Sequence, residues 1–313
     1  MNLLHLKYVI EVAKAGSISK AASNLYMNQP HLSKIIKEFE ENMHIIIFER
    51  TSKGVIPTKK GAEFIERARN ILAQVAEMEA LYCNYDEKTI HLDISVPRAS
   101  YIANAFTNYL SKLNFSDKKI RVNYRETNSI DTIKQVYEGD VNLGIIRFFD
   151  DEKNYFINHL QSKELEYQEL YQFKYQLLVS KENPLVYQKE VLLKDLNNQI
   201  EITHGDVSLP ARKMGTTTRS QELLERKEIS IYDRGIQFEL LASLIHSYMW
   251  VSPMPKQVLD RYNLTTLICK DYKVKSYDWL ITRKGYHLSK EDQNLVAEIK
   301  GIIANNWGIY QKE

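Results

Sequence analysis

The sequence predicts an α/β protein whose N-terminal part is rich in α-helix. Apolar residues recur at helical spacing through the first 85 positions, and strand-like runs then alternate with helix-like ones. At 313 residues and 44% apolar content, the chain is long enough for about two domains with sizeable cores, which excludes a disordered or collagen-like polymer. Charge is balanced overall, 42 Lys/Arg against 40 Asp/Glu, but not locally. Residues 1–60 hold nine basic and five acidic side chains, a net of +4, and the rest carry −2, so a polyanionic partner is expected at the N-terminal end.

Two cysteines, Cys83 and Cys269, are too few for a disulfide scaffold or a cysteine-rich metal site and are expected as reduced thiols. No basic start leads into an apolar run, and no window reaches about 18 consecutive apolar residues. Export and membrane spanning are therefore not expected, and a cytoplasmic location is.

In chain order, Leu3, Leu6, Val9, Ile10, Val12 and Ala13 form the apolar face of a first helix, which Gly16 ends. Ser17 caps a short second helix carrying Ile18, Ala21, Ala22 and Leu25, and Tyr26-Met27 breaks the pattern. Asn28 caps a third helix with Pro30 in its first turn and a buried stripe of Leu32, Ile35, Ile36 and Phe39. Two short helices and a tight turn read as helix-turn-helix. The other face of the third helix offers Gln29, His31, Ser33, Lys34 and Lys37, a mixture suited to a DNA major groove and equally to a solvated face. Arg50-Thr51-Ser52-Lys53-Gly54-Val55 is then a basic turn between short β-branched runs, the pattern of a wing.

From Thr58 to Tyr85, Phe64, Ala68, Ile71, Val75, Met78 and Tyr82 follow a heptad seam on a helix roughly 40 Å long. A second copy of the chain is its expected partner, and packing back onto its own domain is the alternative. Beyond Thr89, strands are expected at Ile90–Val96, Arg121–Tyr124, Val141–Ile146, Gln176–Ser180, Glu201–Thr203, Met249–Ser252 and Trp279–Thr282. Helices are expected at Ile102–Leu113 and Ile130–Tyr137, around 190, 220 and 240, and at 290–306. The alternation implies a parallel sheet.

These residues resemble the LysR-type transcriptional regulators. The likeness is carried by Gly16-Ser17-Ile18-Ser19-Lys20-Ala21-Ala22, Leu25, Asn28-Gln29-Pro30-His31-Leu32-Ser33-Lys34, Phe39-Glu40, Phe48-Glu49-Arg50 and Thr58-Lys59-Lys60-Gly61, in the family's order and spacing. Further landmarks are Glu126-Thr127-Asn128-Ser129, Glu138 to Ile145, Glu182-Asn183-Pro184-Leu185 and Arg283-Lys284-Gly285. The resemblance implies a winged helix-turn-helix domain over 1–58, a linker and dimerisation helix over 59–88, and an effector-binding domain over 89–313. The last would have two lobes like a periplasmic solute-binding protein, lobe I near 89–163 and 268–313, lobe II near 164–267. It further implies DNA contacts from Ser17, Asn28, Gln29, Pro30, His31, Ser33, Lys34 and Lys37, and from Arg50, Thr51 and Lys53 on the wing. Double-stranded DNA, a small-molecule effector, further copies of the chain up to a tetramer, and RNA polymerase are the implied partners. Two departures stand out: His44 stands where the family usually has glycine, so the turn either holds a non-glycine residue with positive φ or is remodelled, and His31 stands where the family more often has a small residue.

Ligands in such folds sit at the carboxyl ends of parallel strands. Candidate effector residues are therefore Arg98, Ser100, Asn128, Ser129 and Arg147 in the first lobe and Thr203, His204 and Arg234 in the second. Each has a plain alternative as a cap, a paired charge or a loop residue. Jointly, two arginines and two hydroxyls favour an anion, notably a carboxylate. His246 and Tyr248 stand where the family has glycines and are expected to reshape or partly fill the cleft.

No phosphate loop, nucleophile elbow or dinucleotide fingerprint occurs, and the eight histidines lack metal-site spacing, so neither enzyme activity, a metal nor a cofactor is expected. A redox-responsive regulator of the same family, and a small-molecule-binding protein without DNA function, are the alternatives.

Overall fold

The computed structural model describes residues 2–52, 54–82, 89–116, 119–205 and 227–310. The chain divides into two compact units, residues 1–87 with 137–140 and residues 88–136 with 141–313. The first is helical with a small β-hairpin: α1 (Leu3–Ala15), α2 (Ile18–Asn24), α3 (Gln29–Met43), β1 (Phe48–Thr51), β2 (Gly54–Pro57) and α4 (Lys59–Tyr82).

Local chemistry sets each boundary. Gly16 ends α1 in the left-handed region at φ 62°, and its N–H closes on Val12 O. The Ser17 hydroxyl accepts from Lys20 N–H, and Asn28 Oδ1 accepts from His31 N–H at 2.9 Å, so both expected caps form. Asn28→Ala should cost about 1 kcal/mol of stability in urea denaturation, with Asn28→Asp keeping most of it. His44 takes φ 54°, so the turn keeps a non-glycine residue in the left-handed region and is not remodelled.

Leu6, Val9, Val12, Ala21, Ala22, Leu32, Ile36 and Phe39 form the core, joined by Ile47 and by Ile65 and Ala68 of α4. Leu3, assigned to the buried face of α1, is exposed. Glu40, near the end of α3, accepts the Ile47 and Phe48 N–H groups at 2.6 and 2.9 Å and so fixes the start of the hairpin. Val55 N–H donates to Gly16 O (2.9 Å), which ties the hairpin to the turn after α1.

The second unit contains β3 (Thr89–Val96), α5 (Ser100–Ser111), β4 (Lys119–Glu126), α6 (Ser129–Tyr137), β5 (Leu143–Phe149), α7 (Lys153–Ser162), β6 (Leu165–Lys174), β7 (Gln176–Ser180), β8 (Ile200–His204), β9 (Lys227–Ile231), α8 (Gly235–Ser243), β10 (Ser247–Val251), α9 (Lys256–Arg261), β11 (Leu264–Leu267), β12 (Lys275–Arg283) and α10 (Lys290–Tyr310). They build two five-stranded sheets, ordered β4-β3-β5-β12-β6 and β11-β7-β10-β8-β9.

Both sheets are mixed, which corrects the all-parallel expectation. β3, β4 and β5 run parallel, as do β8, β9 and β10, but β12 is antiparallel to β5 and β6, and β7 to β10 and β11. The reason is topological: β12 returns from the other sheet and enters its slot from the opposite end. β6 belongs to the first sheet, so the chain first passes between sheets at Tyr175 and not near 163, and returns over 268–274.

β6, β9 and β11 had no counterpart among the expected strands. The helix expected around 190 is two short 3-10 turns, Pro184–Tyr187 and Leu193–Leu196, and the one around 220 lies outside the described residues. Cys269 lies between β11 and β12 and makes one isolated bridge to Val191.

Arg283 explains one sequence landmark. Buried at the end of β12, it donates to Val136 O, Val141 O and Asn142 Oδ1 at 2.9–3.2 Å, closing the loop between α6 and β5.

Candidate functional site

In the first unit, the capped start of α3 places Gln29, Pro30 and His31 in solvent, with Lys34 and Lys37 exposed on the following turns. Each lysine makes only a loose 3.7 Å pair with Glu38 or Glu41 one turn on. Exposed pairs of this kind contribute little and leave both cations able to engage another anion. Ser33 is half-buried, and its hydroxyl accepts from Arg50 Nη2 at 3.1 Å. The hairpin is thereby joined to the exposed face of α3 by one hydrogen bond. Thr51 donates to Gly54 O across the hairpin (3.2 Å), and Lys53 lies outside the described residues.

Of the expected seam on α4, Ala68 is buried in the unit's own core, with Phe64 and Ile71 packed against it. Val75 is half-buried and Met78 is 56% exposed, so the stripe outruns the surface its own unit covers.

In the second unit, Ser100 and Arg234 come together. Arg234, just before α8, donates through Nη2 to Ser100 Oγ at 2.8 Å and through Nη1 to Glu126 Oε1, in an ion pair with both side chains under a fifth exposed (19% and 17%). Glu126 ends β4, and Ser100 opens α5. The contact therefore joins the carboxyl end of the first sheet's parallel strands to the loop after β9. Tyr124 Oη donates to Glu126 Oε1 at 3.1 Å. Burial, and then the Glu126 charge, push this hydroxyl well above the usual tyrosine range, so it remains a donor.

The other candidates are engaged elsewhere. Arg147 grips Asp278 through two hydrogen bonds, Nε to Oδ1 at 2.7 Å and Nη2 to Oδ2 at 2.6 Å, beneath a Tyr101 hydroxyl 2.5 Å from Asp278 Oδ2. Burial is the largest single influence and lowers the Arg147 pKa, but the Asp278 charge, its hydrogen bonds to the guanidinium and the nearby Tyr175 and Tyr101 together outweigh it, and the net shift is upward. The guanidinium also lies 4.8 Å over the Phe173 ring.

Ser129 is not a cap. Its Oγ bridges the backbone N–H and C=O of Arg147 at 2.9 and 2.6 Å, while Asn128 caps α6 by accepting from Asp131 N–H (2.9 Å). The Thr203 hydroxyl donates to Glu228 on the adjacent strand (3.0 Å), His204 ends β8, and Arg98 is half-buried after β3. Tyr248 packs in a buried cluster with Leu177 and Trp250 and donates to Glu201, and His246 is exposed. Of the arginines and hydroxyls expected together, the structure brings Arg234 and Ser100 into contact, with Glu126 beside them, while Arg147 pairs with Asp278 and Thr203 with Glu228. Glu126 lay inside a recognised motif but carried no site signal, because its partner is 108 residues away.

Among the described residues no group of three or more metal-capable side chains gathers, and no helix is long and apolar enough to cross a membrane.

Residues 3–62 match the family described as bacterial regulatory helix-turn-helix protein, lysR family, and residues 91–302 match the LysR substrate binding domain. The chain is 22% identical over 293 residues to the HTH-type transcriptional regulator AlsR of Bacillus subtilis (strain 168), spanning 92% of each protein. Its fold is similar to a full-length OxyR variant from Pseudomonas aeruginosa, with TM-score 0.63 and 15% identity over 96% of this chain and 95% of that one. It is also similar to full-length LysG from Corynebacterium glutamicum with bound effector arginine, with TM-score 0.57 and 15% identity over 97% and 99% of the two chains.

Proposed function

Because the chain belongs to the LysR family of DNA-binding transcriptional regulators, with an effector-binding domain behind its helix-turn-helix, we propose that α3 reads promoter bases while the hairpin holds the phosphate backbone. The observation carrying this is the exposed start of α3, Gln29, Pro30, His31 and Lys34, fastened to Arg50 of β1 through Ser33. Gln can pair with an adenine edge through two hydrogen bonds, whereas Arg50, Thr51 and Lys53 position the protein without reading sequence. Ser17 and Asn28, as caps at helix starts, serve by holding N–H groups and helix ends in place for the phosphates.

The input is a small molecule held between the two sheets, near Ser100 and Arg234, and no cofactor is invoked. A second copy covers the outer stripe of α4, and dimers pair into a tetramer. Support comes from Met78, exposed on a helix of 24 residues, about 36 Å long. Two-fold symmetry then calls for inverted-repeat half-sites, and RNA polymerase is the expected further partner at the promoter.

The redox alternative draws no support from Cys269. Burial, and then its hydrogen bond to Asp271, push that thiol up to about 12, so little thiolate is available for oxidation. Cys83 lies outside the described residues.

Footprinting on the DNA upstream of the chain's own coding region tests the reading. The expected result is a protected inverted repeat that weakens steeply with salt. Gln29→Ala should lose about 1–3 kcal/mol of discrimination at one base position in each half-site, with the salt slope unchanged. Arg50→Ala should weaken all sequences alike and flatten the slope. Absence of protection at every salt concentration, or full sequence preference in Gln29→Ala, would overturn the assignment of α3 as the reader.

A further inference from the structure

We propose that the effector is a zwitterion, a small molecule carrying a carboxylate and an ammonium one carbon apart in the manner of an α-amino acid, which takes the place of the Arg234–Glu126 pair contact for contact. This rests on the reading of the region around Ser100 and Arg234 as the effector site, and it replaces the simple carboxylate that the sequence suggested.

The argument is one of charge accounting at a part-buried site. Among the described residues Arg234 meets the Glu126 carboxylate, the Ser100 hydroxyl at 2.8 Å and the Tyr124 hydroxyl. Glu126 in turn is held by Arg234 and by the Tyr124 hydroxyl at 3.1 Å. A simple anion seated on Arg234 would displace Glu126 and leave that carboxylate, 17% exposed, beside a second negative charge with no other cation paired to it among the described residues. A simple cation seated on Glu126 would strand Arg234, 19% exposed, in the same way. Stranding a desolvated charge costs more than its new contact returns.

A zwitterion avoids both penalties. Its carboxylate accepts from the Arg234 guanidinium and the Ser100 hydroxyl, and its ammonium donates to Glu126, so the net charge of the site is unchanged. Tyr124 keeps Glu126 aimed during the exchange. Its ring is fixed against Phe106, with centroids 4.4 Å apart, and its hydroxyl stays protonated. The same exchange carries a signal. Glu126 ends a strand of the first sheet and Arg234 lies in the loop after β9 of the second, so inserting a molecule between them changes a contact that links the two sheets.

The test is isothermal titration of the full-length protein with the twenty proteinogenic α-amino acids, each binder being compared with its des-amino acid and its decarboxylated amine. At least one amino acid is expected to bind at sub-millimolar concentration, with both truncated forms at least about tenfold weaker, the value of one lost charge-assisted contact. Glu126→Gln should weaken the amino acid by about tenfold to hundredfold and bring the des-amino acid to equal or better affinity, because Arg234 is released to a plain carboxylate. Arg234→Met should remove binding of both. Unliganded footprints and thermal melts of the two variants establish that each remains folded.

Three outcomes overturn the proposal: no amino acid binds the wild type, a des-amino acid binds the wild type as tightly as its parent, or Glu126→Gln leaves the preference for the zwitterion intact. A wild type that protects its operator but shows any of these loses the ligand class alone. A wild type that protects no DNA, with or without the panel, loses the regulator reading instead, whatever its titrations show.

Discussion

Arg147→Met is expected to lower the stability of the second unit by about 3–5 kcal/mol, the usual cost of leaving a buried charge without its counter-ion. Asp278 is 0% exposed, and its two oxygens are held by Arg147 with Tyr101 as the other donor. One tyrosine hydroxyl cannot replace a two-pronged guanidinium. The damage reaches further than the pair, because Arg147 also lies over Phe173, and its backbone is stitched to α6 through Ser129. Urea unfolding followed by tryptophan fluorescence, with Trp279 one residue from Asp278, reads the loss directly. Replacing both partners, Arg147→Met with Asp278→Leu, should recover most of it, since an apolar pair of similar volume carries no stranded charge. A single variant as stable as the wild type, but unable to bind its effector, would return Arg147 to the ligand site where the sequence had placed it.

Gly61→Ala is expected to disable the first unit. A Cβ built on Gly61 would stand 2.0 Å from the carbonyl oxygen of Ile47, 2.7 Å from its carbon and 2.9 Å from its Cα. All three are backbone atoms, so no side chain can swing aside. The Ile47 carbonyl is already committed, accepting the Thr58 N–H at 2.9 Å, and the Gly61 N–H donates to Thr58 Oγ1 at 2.8 Å. Forcing α4 away from the hairpin should cost about 3 kcal/mol, the upper part of the overpacking range, and shift the hairpin from its seat on α3. The expected readout is loss of DNA protection and a lowered melting transition for the first unit, with ligand titrations on the second unit unchanged. A variant that still protects DNA as the wild type does would show that the helix start can slide without cost.

Legibility in the sequence followed the range of the interaction that decided each feature. The Asn28 and Ser17 caps and the glycine stop at residue 16 depend on neighbours within four residues or so, and all could be read. The stripe on α4 could be read as a period, but not where its own core ends and open surface begins. That boundary, between Leu72 and Met78, depends on how far α1 and α3 extend in space.

Strand direction was not legible, because nothing in Trp279–Thr282 says from which side the chain arrives. β6 was missed because, as an edge strand, half of its residues are exposed and it shows no continuous apolar run. The ligand candidates suffered most. Arg147 and Arg234 had the right chemistry, but their carboxylates lie 131 and 108 residues away in sequence, and only the fold shows that one arginine braces a sheet while the other spans two.

The slot that β12 fills also sets an order of assembly. It lies between β5 and β6, yet it is made more than a hundred residues after both, and after the whole of the other sheet. A chain emerging from the ribosome can complete the sheet of β7 to β11 from contiguous sequence, while β5 and β6 wait with open edges for their central partner. Open edges are where chains pair wrongly or with one another. The first sheet is thus the last part of the molecule to become whole. Any chain that stops short of Lys275 has a finished second sheet attached to a first sheet with a gap through its middle.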